Sequence, residues 1–365
     1  MTTPLNEAER VSLALRELYQ SYGYRPYKVG KFEEYDLYAQ NRNFLTGSRI
    51  LTFTDTDGRL MALKPDVTLS IIKNTRTDQR MRKVWYTENV YRVPPNAYGF
   101  QEIVQTGLEC IGVMDDYAMA EVLMLAARSL EAISPIYVLD VSHLGVLTGV
   151  LRAAGASGEL AGGILAAAGE KNLHGLRECC GRGGLKPEHT ALLEALCRLG
   201  GPAREELPKL LALPLPEESL LAARELQRLC ELLAVFGDFN VNLDLSVTND
   251  TDYYNGLIFR GFVDGVAAMI LAGGRYDHLL QRMGKAGEAV GFAVYISELE
   301  RLFSPLREYD VDTLLVYDET DDPAAVAAAV KALAASGQTV RAQRRGESAV
   351  TWRRMVDMAG NEVVP

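Results

Sequence analysis

The chain has 365 residues, 48% hydrophobic and 24% charged, which supports two or three packed domains and excludes a disordered or fibrous protein. A net charge of −10 and a pI near 5.1 oppose the phosphate neutralisation that supplies most nucleic-acid affinity. No apolar run approaches the ~20 residues of a membrane span, and the first ten residues lack the order of a secretory leader, so a cytoplasmic protein is expected.

Val11, Leu13, Leu15, Leu18 and Tyr19 recur at helical spacing and predict an opening amphipathic helix over 6–22. Leu51-Thr-Phe-Thr-Asp-Thr-Asp-Gly-Arg-Leu-Met-Ala-Leu63 alternates apolar and polar residues around Asp57-Gly58, the pattern of a tight hairpin whose glycine supplies positive φ. Strands and hairpins dominate from 50 to 114, a long helix is expected over 116–133 and a strand over 136–141. From 146 to 236 the pattern is helical, punctuated by Gly and Pro at 155, 181–184, 200–202 and 214–216. Strands resume at 240–248, 256–262 and 266–271. The last segment reads as β-α-β: strand 313–317, a helix with Asp322 as N-cap and Pro323 at its first position, Gly337 as its stop, and strand 338–343.

Five cysteines, Cys110, Cys179, Cys180, Cys197 and Cys230, are odd in number and lack C-x-x-C spacing, so reduced thiols are expected and no metal site. The adjacent Cys179-Cys180 pair leaves a redox couple open as a second reading.

Several segments carry a resemblance to the histidyl-tRNA synthetase family. Leu243-Asp-Leu-Ser-Val-Thr-Asn-Asp-Thr-Asp-Tyr-Tyr-Asn-Gly-Leu-Ile-Phe259 resembles that family's L-V-R-G-L-D-Y-Y signature, with Asn249 where its arginine belongs. Ala272-Gly-Gly-Arg-Tyr-Asp277 resembles the second histidine-specific element, and Ala289-Val-Gly-Phe-Ala293 the strand that opens class II motif 3. Tyr22-Gly-Tyr-Arg-Pro-Tyr27 with Lys31-Phe-Glu-Glu34 resembles motif 1, Lys64-Pro-Asp-Val-Thr68 resembles R-P-E-G-T, and 84–92 with 105–112 resemble the two strands of motif 2. The resemblance spans roughly 10–305 and implies an α+β fold: a class II aminoacyl-tRNA synthetase-like core, an antiparallel sheet flanked by helices, in 1–145 and 237–308. It further implies a helical insertion at 146–236 and a truncated, anticodon-binding-like α/β segment at 309–365, either a packing appendage or an RNA reader.

Adenylate formation loads negative charge onto the α-phosphate and needs fixed cations. Of the family's three arginines, Arg92 matches the motif 2 residue and Asn249 replaces the second with an uncharged amide. An ungapped motif 3 puts Tyr295 at a glycine and Glu298 at the third arginine; a three-residue insertion would instead restore Glu300-Arg301. The motif 2 loop, Arg92-Val-Pro-Pro-Asn-Ala-Tyr-Gly-Phe-Gln-Glu102, is one residue short and carries no cation after Arg92. Arg92, Asn249, Tyr295 and Glu298 thus read as a vestigial ATP site, with no catalytic residue and no cofactor.

The amino-acid pocket reads as kept. A neutral imidazole presents one donor and one acceptor, so its recognition needs a carboxylate or hydroxyl at each nitrogen. By resemblance, Glu109 and Tyr254 face a histidine ring, while Asp66, Gln105 and Tyr276 hold the amino end. The chain is therefore similar to the non-catalytic synthetase paralogues that serve as regulatory subunits of ATP phosphoribosyltransferase. That resemblance implies a homodimer within a larger hetero-oligomer, a short catalytic subunit as partner, histidine as feedback ligand, and neither tRNA nor membrane as partner. A divergent active histidine-tRNA ligase, or a paralogue with another amino-acid-dependent role, remains the alternative.

Overall fold

Helix α1 (Glu7–Ser21) buries Ala8, Val11, Leu15 and Tyr19 on one face, and the Tyr19 hydroxyl meets Ser129 Oγ at 3.0 Å. This computed structural model describes residues 6–41, 44–45, 49–75, 80–93, 99–247, 253–303, 309–346 and 350–363. Two units are formed, Ala8–Arg301 and Leu302–Pro365 with Met1–Glu7.

The larger unit continues through β1 (Arg25–Pro26), β2 (Phe32–Glu34), α2 (Tyr35–Gln40), β3 (Thr52–Thr54), β4 (Leu60–Leu63) and α3 (Thr68–Asn74). The Asp57-Gly58 turn joins β3 to β4, with Gly58 at φ +85°. Next come β5 (Arg82–Arg92), β6 (Gln101–Gly112), α4 (Asp116–Ile133) and β7 (Tyr137–His143). Asp115 caps α4 by accepting from the Ala118 N–H at 2.7 Å, and thirteen residues of that helix are buried. Residues 144–236 supply α5 (Leu144–Ala153), α6 (Gly158–Gly169), α7 (Leu173–Arg182), α8 (Pro187–Arg198), β8 (Gly200–Pro202), α9 (Ala203–Leu211) and α10 (Glu217–Phe236). The unit closes with β9 (Val241–Asp244), β10 (Leu257–Val263), β11 (Leu271–Arg275), α11 (Asp277–Arg282), β12 (Glu288–Tyr295) and the start of α12 (Ile296–Phe303).

Nine strands form one sheet in the order β1-β5-β6-β12-β11-β10-β7-β9-β8. It is antiparallel except where β1 meets β5 and β7 meets β9, so the expected antiparallel sheet is mixed at two joints. Alternation along β6 sends Gln105, Glu109 and Ile111 to one face and Leu108 and Cys110 to the other. The register sets Gly291 beside Glu109, Tyr295 beside Gln105, and Gly274 beside Gly291, which brings side chains from β5, β6, β11 and β12 onto a single face.

Three strands depart from the sequence reading, and the first, expected over 240–248, ends at Asp244, where Leu245 and Ser246 turn. The strand expected over 266–271 lies at Leu271–Arg275, because Gly265 turns the chain at φ +81° and the ladder runs on through Gly273 and Gly274. Those glycines belong in a strand because there is no room beside them: a Cβ on Gly273 would lie 2.4 Å from the Phe292 Cβ. Gly200–Pro202, read as punctuation, forms an edge strand paired with β9, a position where proline costs no ladder bond.

The smaller unit holds β13 (Val311–Tyr317), α13 (Pro323–Ala335), β14 (Val340–Arg344) and β15 (Trp352–Val356) in a parallel sheet of order β14-β13-β15. Asp322 caps α13 through the Ala324 N–H at 3.2 Å, Pro323 opens it and Gly337 follows it at φ +84°. Strand β15 extends the expected β-α-β.

Candidate functional site

The face formed by β5, β6, β11 and β12 carries a cavity of about 580 Å³, within the range of small-molecule sites. Its walls include Asp66, Gln105, Glu109, Tyr254 and Tyr276, the five residues expected to hold an amino acid, together with Arg92, Tyr295 and Glu298. Asn249 and the loop 94–98 lie outside the described residues.

Glu109 sits at the floor, 2% exposed. The Thr68 hydroxyl donates to its Oε1 at 2.7 Å and the Tyr276 hydroxyl donates to its Oε2 at 2.5 Å. A Cβ on Gly291 would lie 1.9 Å from that Oε2, so the facing strand must carry glycine for the carboxyl to be seated. Burial pushes the Glu109 carboxyl up to about 8, against the two hydroxyl donors and with a smaller push from the Asp66 charge.

This has a consequence for stability. The native carboxyl titrates near 8 and the ordinary one at 4.5, so the folded state holds the proton more tightly. The contribution is full below about 4.5 and is lost as pH rises through about 8. Melting temperature of the ligand-free protein is expected to fall across that window, and Glu109→Gln to flatten the fall. An identical slope in the variant would show that Glu109 is not the titrating group.

Asp66 lies in the turn between β4 and α3. Its Oδ1 accepts from the Leu69 N–H at 2.8 Å, where the first turn of α3 leaves N–H groups unpaired. Burial raises its carboxyl, opposed chiefly by the charge of Arg92. The turn is pinned by the buried Lys64, whose Nζ donates to Glu88 Oε2 at 2.5 Å. Arg92 Nε donates to the Pro65 carbonyl, and its Nη2 lies 3.5 Å from Asp66 Oδ2. The motif 2 arginine is thus turned toward the loop carboxylate.

Strand β12 passes directly into α12, and the Ser297 hydroxyl accepts from the Val104 N–H at 2.9 Å at that junction. Glu298 lines the cavity. Arg92 is the one cation among the described lining residues, which also include the carboxyl groups of Asp66, Glu109 and Glu298.

Thr68, Tyr86 and Tyr253, which lie in the resembling segments without an expected role, also line the cavity. Thr68 ends the pentapeptide that supplies Asp66, so the motif itself held the signal. Tyr253 packs between Tyr254 and Tyr276, with ring centroids 4.7 and 5.9 Å away. Tyr86 is selected by register, since its ring fills the space that a Cβ on Gly107 would take.

A second cavity, about 430 Å³, lies between α9, α10 and residues 237–241 and holds none of these groups. Among the described residues no cluster of His, Cys, Asp or Glu fits a metal ion, and no helix is long and apolar enough to cross a membrane. All five cysteines are free thiols; burial raises Cys180 above the usual thiol range.

The family model described as histidyl-tRNA synthetase matches residues 4–299. An ATP phosphoribosyltransferase regulatory subunit of Caldanaerobacter subterraneus subsp. tengcongensis is 31% identical over 291 residues, 78% of this chain and 75% of the relative. An ATP phosphoribosyltransferase regulatory subunit/histidyl-tRNA synthetase from Bacillus halodurans C matches in fold, with TM-score 0.76 and 22% identity, covering 98% of this chain and 96% of that one. A chain of the ATP phosphoribosyl transferase complex from Thermotoga maritima matches with TM-score 0.63 and 20% identity over 79% of this chain and 97% of its own length. The match of family, fold and pocket-bearing segments means that the chain belongs to the histidyl-tRNA synthetase family, in its branch of ATP phosphoribosyltransferase regulatory subunits.

Proposed function

We propose that the protein is the non-catalytic subunit of an ATP phosphoribosyltransferase in the first step of histidine biosynthesis. It binds histidine in the 580 Å³ cavity and confers activation and feedback control on a short catalytic subunit. The homodimer expected from the sequence and its place in a larger hetero-oligomer belong to the same proposal.

One observation carries this reading: a buried carboxyl, Glu109, held from both sides by Thr68 and Tyr276 at the floor of a pocket also lined by Asp66 and Glu298. A carboxyl with Tyr254 nearby suits an imidazole, and Asp66 with Gln105 suits an α-ammonium. Among the described lining residues, triphosphate would meet Asp66 and Glu298 with only Arg92 to offset them. Isothermal titration should therefore show histidine binding and no ATP binding. A hundredfold excess of histidine over Kd would stabilise the fold by about 2.7 kcal/mol in a melting experiment. Binding of ATP but not histidine would overturn the proposal.

Affinity should also be bell-shaped in pH. Between about 6.5, the ordinary imidazole value, and about 8, Glu109 holds its acid proton and the free ring is neutral, so binding shares that proton without net exchange. Below this window two protons are present and one must leave; above it neither partner has one and a proton must be taken up. Each limb should cost about tenfold in affinity per pH unit. Glu109→Gln should weaken binding and erase the upper limb. A flat profile in the wild type would remove Glu109 from ring recognition.

A further inference from the structure

The two pocket tyrosines, Tyr254 and Tyr276, are each followed or preceded by a residue of a half-buried polar hub that reaches into the helices of 144–236. Asn255 donates through Nδ2 to Asp277 Oδ2 at 3.1 Å, and its N–H donates to the Arg275 carbonyl at 2.9 Å. Arg275 Nε donates to the same Asp277 oxygen at 2.7 Å, while its Nη2 reaches Glu288. Asp277 Oδ1 accepts from the Ala289 N–H at 2.9 Å, which fixes the start of α11 against β12.

The remaining Arg275 nitrogen, Nη1, points to Glu225 Oε1 on α10 at 3.9 Å. That carboxylate oxygen is also 3.7 Å from His143 Nε2. It is buried, and both neighbours lie beyond ordinary hydrogen-bond distance. The imidazole of His143 accepts from the Gly145 N–H at 3.1 Å through Nδ1, which leaves Nε2 as its donor toward Glu225. The Leu144 N–H donates to the Gly256 carbonyl at 3.0 Å, two residues after Tyr254, and Tyr254 packs against the small core cluster of Leu144, Val247 and Ile258. Elsewhere on α10, Glu218 pairs with Arg152 and Glu231 with Gln227.

We propose that Glu225 is a positioning residue for the amino-acid pocket: from α10 it holds Arg275 and His143, and through them sets the backbone that carries Tyr254 and Tyr276. The inference rests on the histidine-binding reading. Occupancy of the pocket and packing of α10 are then energetically coupled, each biasing the other by the same factor. A buried carboxylate paired with a cation is expensive to lose on one side only, because the partner's charge stays buried.

The test is hydrogen exchange with calorimetry on the full chain. In the wild type, histidine should slow exchange of the amides at 222–229 of α10 by about fivefold or more. In Glu225→Gln, histidine affinity should fall by about tenfold, and this remote protection should disappear while protection at 105–109 persists. Glu225→Asp should recover part of both effects, which a purely structural loss of helix packing would not. Glu218→Gln, on the same helix, should leave both unchanged. Wild-type histidine binding with no protection of 222–229 would overturn the coupling, whether or not the Glu225 variants fold. Wild-type affinity and protection retained in Glu225→Gln would also overturn it. A wild type that does not bind histidine would overturn the functional reading itself.

Discussion

Histidine-dependent exchange of pyrophosphate into ATP should be undetectable above background, even at saturating ATP. Activation of a carboxylate needs cations fixed on the α-phosphate oxygens, and each lost charge-stabilising donor typically costs about 10²–10³ in rate. The resemblance puts Asn249 in the place of one arginine and, with an ungapped motif 3, puts Glu298, which lines the cavity, in the place of another. Arg92 survives but donates to the Pro65 carbonyl and leans on Asp66. Two replacements alone lower the rate by roughly 10⁴–10⁶, and the acid at 298 adds repulsion to the loss. Asn249→Arg should not restore exchange, because Glu298 and Tyr295 still line the site. Robust wild-type exchange would favour the active-ligase alternative.

The pocket was legible in the sequence because its residues fall in motifs that a folded sheet must bring together. Gln105 and Glu109 are four apart on one strand and therefore share a face, and Gly291 in the matching strand leaves room for the carboxyl. Register was not legible. Nothing in Tyr86 alone says that it faces Gly107, and that pairing is what makes it a wall.

The glycines misled in two ways. At Gly200–Pro202 they resemble a breaker yet pair as an edge strand, and at Gly273-Gly274 they mark close packing inside a strand. Arg275 and Asp277 sit in a motif associated with amino-acid recognition, but their side chains bond to each other and to Glu288 and Ala289. Only Tyr276 of that hexapeptide reaches Glu109. The link to Glu225 could not be read at all, since fifty residues of chain and a change of element separate it from Arg275.

Feedback inhibition of the reconstituted complex tests the central claim most directly. Wild-type and variant subunits would be combined with the short catalytic subunit, and phosphoribosyl transfer followed against histidine concentration. A ligand shifts an equilibrium only by its differential affinity for the two states, so removing that affinity removes its leverage and leaves the subunit contacts alone. Loss of a hydrogen bond to a charged group costs about 1.5–3 kcal/mol, which corresponds to an inhibition curve displaced by roughly 10- to 150-fold. Glu109→Gln should show that displacement and Tyr254→Phe a smaller one, with assembly and uninhibited turnover near wild type. Inhibition curves for both variants that superimpose on the wild type would contradict a histidine sensor in this pocket and place the regulatory site elsewhere in the complex.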